Sequence, residues 1–216
     1  MNYKYFDIRY DRADEAFAQT VAEKADRLYE DMLRNFGFRS DTADQKILLT
    51  ICGSIPQYLE ATGKAPEAYQ EWMVGNSDFG HRRITILSPR VSTTHSAQAL
   101  EKVFIHELIH MIFDIQTRAA DAPLWCAEGV AILYADQIEL EYAEEEGHPK
   151  IMELLDEETF PDRGGYDYAG VYVWYYIERF GFAEFLKLYR NSPAAVQPAC
   201  GFELEAIRKP KEKAHK

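Results

Sequence analysis

The chain has 216 residues, a formal net charge of −12, 47% hydrophobic residues and 28% charged residues. These proportions are those of an ordinary globular protein that is long enough to bury an ample core. The acidic balance argues against a general binder of nucleic acid or of anionic membranes. No apolar run approaches the roughly 20 residues that a membrane-spanning helix needs.

Cysteine use and the first residues predict a cytoplasmic location. The three cysteines, Cys52, Cys126 and Cys200, are odd in number and widely spaced, which argues against a disulfide framework. The opening segment "MNYKYFDIRYDR" has no apolar stretch of the kind that a secretory leader carries.

The N-terminal half predicts strands that alternate with helices. Apolar and polar residues alternate in "YKYFDIRY" (3–10), which predicts a first strand. Apolar residues then recur at helical spacing over 12–36, and Gly37 ends that helix. The β-branched segments "KILLTIC" (46–52) and "RITILS" (83–88) predict two further strands, and "IPQYLEATGK" between them predicts a short helix.

The rest of the chain is predicted to be mostly helical. The predicted helices cover about 96–115, 127–146, 149–158, 168–180, 182–190 and 201–208. Strands and helices followed by helices alone predict an α+β fold. We expect a sheet-bearing lobe over 1–115, a helical lobe over 116–208 and a short basic tail over 209–216.

Residues 104–113 read "FIHELIHMIF" and place two histidines and a glutamate inside an apolar helix. His106 and His110 are four residues apart and therefore share one helix face, with Glu107 beside it. Titratable groups are costly to bury unless something pairs with them. This spacing lets two imidazoles bind one zinc ion while the glutamate accepts a proton from the bound water. The alternative is two histidines spaced by accident.

A catalytic zinc needs three protein ligands and one open position. Glu128, in "PLWCAEGVAILYAD", is the candidate third ligand, since 17 residues separate it from His110 and allow the chain to turn and return. By itself, Glu128 is equally a first-turn glutamate favoured by the helix dipole. Asp114, one turn past His110, is predicted instead to orient a neighbour or to face solvent, and Cys126 to be a small buried residue.

These segments, together with "YAGVYVWYYIERFGFAEFLKLY", resemble the peptidase MA-like gluzincins, which are relatives of thermolysin and of the zinc aminopeptidases. The resemblance covers about residues 5–190. In that family the third zinc ligand comes from a Trp-x-x-Glu-Gly-x-Ala segment, whose residues here are Trp125, Glu128, Gly129 and Ala131. The resemblance implies a zincin-like fold, with a small mixed sheet over the active-site helix. It also implies one Zn2+ per chain, bound by Glu128 and the two histidines.

The resemblance further implies hydrolysis of peptide bonds, with Glu107 as the general base for a zinc-bound water. It places a tyrosine that stabilises the tetrahedral oxygen at or just before the start of the helix that follows the third ligand. Tyr168 matches that place best, followed by Tyr166 and Tyr172. That helix is so rich in aromatic residues that each of the three is also a candidate core residue.

The substrate is predicted to be a peptide or protein. In zincin folds the strand before the zinc-binding helix borders the cleft and pairs with extended substrate; the corresponding residues here are Ile84, Thr85, Ile86 and Leu87. The alternative is an ordinary sheet strand. Nothing resembles the Gly-x-Met-Glu-Asn segment of zinc aminopeptidases, which favours an endopeptidase. A catalytically silent binding or regulatory module is the other interpretation, and the presence of Glu107 counts against it.

Overall fold

The computed structural model describes residues 3–39, 45–118, 122–138, 154–155 and 158–190. The chain divides into two compact units, Met1–Arg118 and Ala119–Lys216. The fold is α+β, as the order of elements predicts. No helix in the described ranges has the length and apolar content needed to cross a membrane.

A mixed four-stranded sheet organises the first unit. Its strands are β1 (Phe6–Arg9), β2 (Ile47–Cys52), β3 (Gly75–Asp78) and β4 (Arg83–Leu87). Their order across the sheet is β1-β2-β4-β3. The pairs β1–β2 and β2–β4 are parallel, whereas β3 runs antiparallel to β4. Among the described residues, β3 is therefore an edge strand and β4 is an interior strand.

Three α-helices accompany this sheet: α1 (Glu15–Asn35), α2 (Ile55–Thr62) and α3 (Ala97–Thr117). The side chain of Ser96 caps α3 by accepting a hydrogen bond from the backbone N–H of Ala99, and Arg118 ends the helix in the left-handed conformation. Gly63, also left-handed, ends α2. The Ser96 cap and the left-handed Gly63 are ordinary capping features, whereas a left-handed arginine such as Arg118 is uncommon.

In the core of the first unit, α1 and α3 pack against each other and against the sheet. The ring of Phe6 on β1 lies edge-on to Tyr29 of α1, at 6.2 Å between ring centroids, and to Phe104 of α3, at 6.0 Å. Because these aromatic residues are almost fully buried, they fix the face that α3 turns to the core. The face that carries the histidines is fixed by the same packing.

The second unit contains α4 (Leu124–Tyr134), α5 (Gly165–Phe180) and α6 (Phe182–Arg190) among the described residues. Helices α4 and α5 cross closely, since a β-carbon added to Gly129 would lie 2.4 Å from the carbonyl oxygen of Ala169. The helix predicted over 127–146 corresponds to α4, which begins at Leu124 and ends at Tyr134, before the left-handed Asp136. Residues 139–146 of that prediction lie outside the described residues. Most of the helix predicted over 149–158, and all of that over 201–208, lies outside the described residues.

Candidate metal centre

His106 and His110 lie in the middle of α3 and direct their rings to the same place. Their Nε2 atoms are 3.0 Å apart, and both side chains are half-buried. Two nitrogen ligands on one tetrahedral zinc ion would lie about 3.4 Å apart, given metal–nitrogen distances of about 2.0–2.1 Å. The pair is therefore close to the spacing that a shared metal ion requires.

Glu128 occupies the second turn of α4 and is half-buried. The potential ligand atoms of His106, His110 and Glu128 all lie within 4.8 Å of one another. These three residues, which the sequence picks out as the metal ligands, thus form a group that could hold a metal ion. Two imidazoles and one carboxylate are donors that suit divalent transition metals.

Glu107 follows His106 on α3 but does not belong to this group of ligands. Its carboxylate lies against the edge strand, since a β-carbon added to Gly75 would be 2.6 Å from its Oε1 atom. The side chain is half-buried. Glu107 is therefore beside the histidine face, as the helical spacing predicts.

Asp114 and the two described cysteines, Cys52 and Cys126, are not part of the metal-binding group found among the described residues. Asp114 is half-buried; burial raises its pKa, and the nearby charge of His110 opposes that rise. Cys52 and Cys126 are fully buried. Burial raises the pKa of the Cys52 thiol to about 12, which disfavours the thiolate that binds metals.

The three candidate tyrosines have different surroundings at the start of α5. Tyr168 lies in the first turn and is 7% exposed. Tyr172, one turn later, is fully buried with its ring edge-on to Trp125 at 6.4 Å, which is typical of a core residue. Tyr166 is 39% exposed and lies against the ring of Phe160. The assignment of Tyr168 as oxyanion donor remains a prediction.

The substrate-binding role predicted for Ile84, Thr85, Ile86 and Leu87 is wrong. All four lie on β4, which is paired with β2 on one side and with β3 on the other. Each is at most 1% exposed. A strand whose two edges are both paired has no free backbone groups with which to bind an extended peptide.

Sequence reasoning missed β3, which is the edge strand next to β4. The sequence of β3 is "GNSD", and glycine, asparagine and aspartate are depleted in strands. The available clue was the turn after it, where Gly80 separates this segment from "RITIL", because a short glycine-containing loop between two extended segments is typical of a hairpin.

Comparison with known proteins assigns no family to the chain. No model of a protein family matches it, and no curated protein matches it in sequence.

Proposed function

We propose that this chain is a zinc-dependent endopeptidase with a zincin-like fold, acting on peptides or proteins. The group formed by His106, His110 and Glu128 is the observation that carries the proposal. Structural zinc sites are usually closed by four cysteine or histidine ligands, whereas two imidazoles and one carboxylate leave a fourth position for water. One Zn2+ per chain is the expected content.

Zinc bound there would lower the pKa of its water to about 7 and polarise a substrate carbonyl. Glu107 would accept a proton from the attacking water and pass it to the leaving amine. Its place beside the histidine face supports this role. Tyr168 is proposed to donate a hydrogen bond to the tetrahedral oxygen, an interaction typically worth about 3 kcal/mol.

The outer edge of β3, with which no strand among the described residues pairs, is the proposed place for the extended substrate. The backbone N–H of Leu87 donates to the carbonyl of Val74 at 2.8 Å. Because inward and outward pairs alternate along an antiparallel ladder, the backbone groups of Ser77 and the N–H of Gly75 face away from β4. The Gly75 carbonyl already accepts a hydrogen bond from the Tyr58 hydroxyl at 2.7 Å. A peptide can therefore add to this edge as a further strand.

The discriminating experiment replaces Glu107 by glutamine, which keeps the shape of the side chain and removes the proton acceptor. We expect about one zinc ion per chain in both proteins, with cleavage of a mixed peptide library lowered by about 10²-fold or more in Glu107→Gln. Metal content and cleavage are measured on the same preparations.

Glu101→Gln is the matched control, because Glu101 lies on the same helix and pairs with Lys24 in a solvent-exposed ion pair. It should cleave the library at the wild-type rate. Cleavage that survives in Glu107→Gln contradicts the assignment of the base. A wild-type protein that binds zinc but cleaves nothing in the library supports the binding-module interpretation instead.

A further inference from the structure

The side chain of Glu107 packs closely against Gly75 on β3. A β-carbon added to Gly75 would lie 2.6 Å from Oε1 of Glu107 and 2.5 Å from Cγ1 of Val103. Real β-carbons essentially never approach other atoms so closely. The side chains of Glu107 and Val103 therefore together occupy the space that a side chain at position 75 would fill.

The backbone of Gly75 does not itself require glycine. Its φ lies outside the left-handed region that L-residues avoid, unlike those of Gly63 and Gly164. An alanine could adopt the same backbone conformation without strain. The need for glycine at position 75 thus comes from the close approach of α3, in particular of Glu107 and Val103.

Tyr58 also holds the backbone of Gly75. Its hydroxyl donates a hydrogen bond of 2.7 Å to the carbonyl oxygen of Gly75, and the side chain is fully buried. Burial raises the pKa of Tyr58, and the charge of Glu107 raises it further. The hydroxyl therefore keeps the proton that it donates.

We propose that Gly75 and Tyr58 are positioning residues for Glu107: Tyr58 holds β3 by the Gly75 carbonyl, and the missing side chain of Gly75 gives the carboxylate its place. This inference rests on the proposed function, in which Glu107 is the general base. A displacement of about 1 Å of a catalytic group can cost about 10²-fold in rate. Neither residue touches substrate through its side chain in this scheme.

The first test compares two glycine-to-alanine variants near the same hairpin. Gly75→Ala should lower kcat by about 10²-fold and leave the zinc content unchanged, because Glu107 moves and the ligands do not. In Gly80→Ala the added methyl meets nothing closer than 3.5 Å, so kcat should stay at the wild-type value. A wild-type kcat in Gly75→Ala overturns the proposal.

The second test needs neither zinc nor activity. Thermal unfolding of the zinc-free protein is measured for Gly75→Ala in three backgrounds: wild type, Val103→Ala, and Val103→Ala with Glu107→Ala. The drop in Tm caused by the new methyl should persist in the Val103→Ala background and fall by at least half when Glu107 is also shortened. If Val103→Ala alone abolishes the drop, Glu107 does not occupy the space and the proposal fails.

Tyr58→Phe provides a variant that keeps the packing volume and deletes only the hydrogen bond. We expect kcat to fall by about 10-fold with unchanged zinc content, and an unaltered kcat contradicts the role of Tyr58. A wild-type protein without peptidase activity would refute the proposed function, whereas the unfolding cycle would still decide whether Glu107 occupies the space beside Gly75. The two failures are therefore distinguishable.

Discussion

At the scale of single residues, the proposed role of Tyr168 as a hydrogen-bond donor can be tested directly. It lies in the first turn of α5 and keeps 7% of its surface exposed. If its phenol donates to the tetrahedral oxygen, Tyr168→Phe should lower kcat by roughly 10²-fold with little change in KM, because that hydrogen bond forms only in the transition state. Steady-state kinetics on one cleaved peptide measure both constants.

Tyr172→Phe is the control for this prediction, since Tyr172 is a fully buried neighbour on the same helix. It should leave kcat unchanged and cost at most about 1 kcal/mol of stability, the usual contribution of one hydrogen bond. Near-normal turnover in Tyr168→Phe would assign that side chain to the core. Tyr166 would then be the next candidate donor.

The relative positions of the two histidines and Glu107 could be predicted from the sequence. The positions of His106, Glu107 and His110 follow from helical geometry alone, because residues four apart share a face. The local sequence around Glu107 does not indicate that this residue lies against Gly75. That contact joins segments about 30 residues apart in the chain, and it depends on how α3 packs on the sheet. Local pattern predicts which residues share a helix face, and packing decides what that face touches.

At the scale of elements, local sequence pattern predicts β2 and β4, whereas β3 depends on tertiary packing. The first two are short and β-branched, and the sequence predicts both within one residue of their ends. The third has no apolar alternation, and pairing with β4 together with the packing of α3 makes it a strand. The sequence pattern also continues past the end of α4, where the left-handed backbone of Asp136 follows the last helical residue, Tyr134.

An ion pair connects two elements of the first unit. Asp14, in the turn before α1, is buried and accepts hydrogen bonds from Nε and Nη2 of Arg90 at 2.7 and 2.9 Å, and from the hydroxyl of Ser88. Arg90 and Ser88 follow β4 in the chain. The guanidinium beside Asp14 holds the pKa of its carboxyl below the usual value. This contact ties the start of α1 to the end of β4.

We expect Asp14→Asn to lower the free energy of unfolding by about 2–3 kcal/mol, because it removes one partner of a buried, hydrogen-bonded charge. A depressed pKa in the folded state stabilises the fold fully above the unfolded value of about 3.9, and this contribution is lost as the pH falls through the folded pKa. The difference between the variant and wild type should therefore be constant near neutral pH and shrink in acid.

Denaturant unfolding of the zinc-free protein at pH 7 and in acid measures this difference. Asp7→Asn is the matched control, since Asp7 pairs with Lys46 at 3.4 Å while 69% of its side chain is exposed. Exposed ion pairs contribute at most about 1 kcal/mol. A loss in Asp14→Asn no larger than that of the control would show that the buried pair adds no more stability than an exposed one.

At the scale of the whole molecule, the proposed metal ion links function to stability. A ligand that binds only the folded chain stabilises it by about 2.7 kcal/mol when its free concentration is 100 times Kd. For a chain of 150–250 residues, each kcal/mol shifts Tm by about 2–4 °C. Saturation with zinc should therefore raise the Tm of the chelator-treated protein by roughly 5–11 °C.

Calorimetry with and without added zinc measures the shift, and His110→Ala separates specific from nonspecific binding. His110 supplies one of three ligand atoms that lie within 4.8 Å of one another, so its loss should abolish the zinc-dependent rise in Tm. His81→Ala is the control, because His81 is an exposed histidine that pairs with Asp78 and is not among the proposed ligands; its rise should match that of wild type. Equal zinc-dependent shifts in His110→Ala and wild type would show that the metal binds elsewhere, since a site with only one imidazole and one carboxylate cannot hold zinc with comparable affinity.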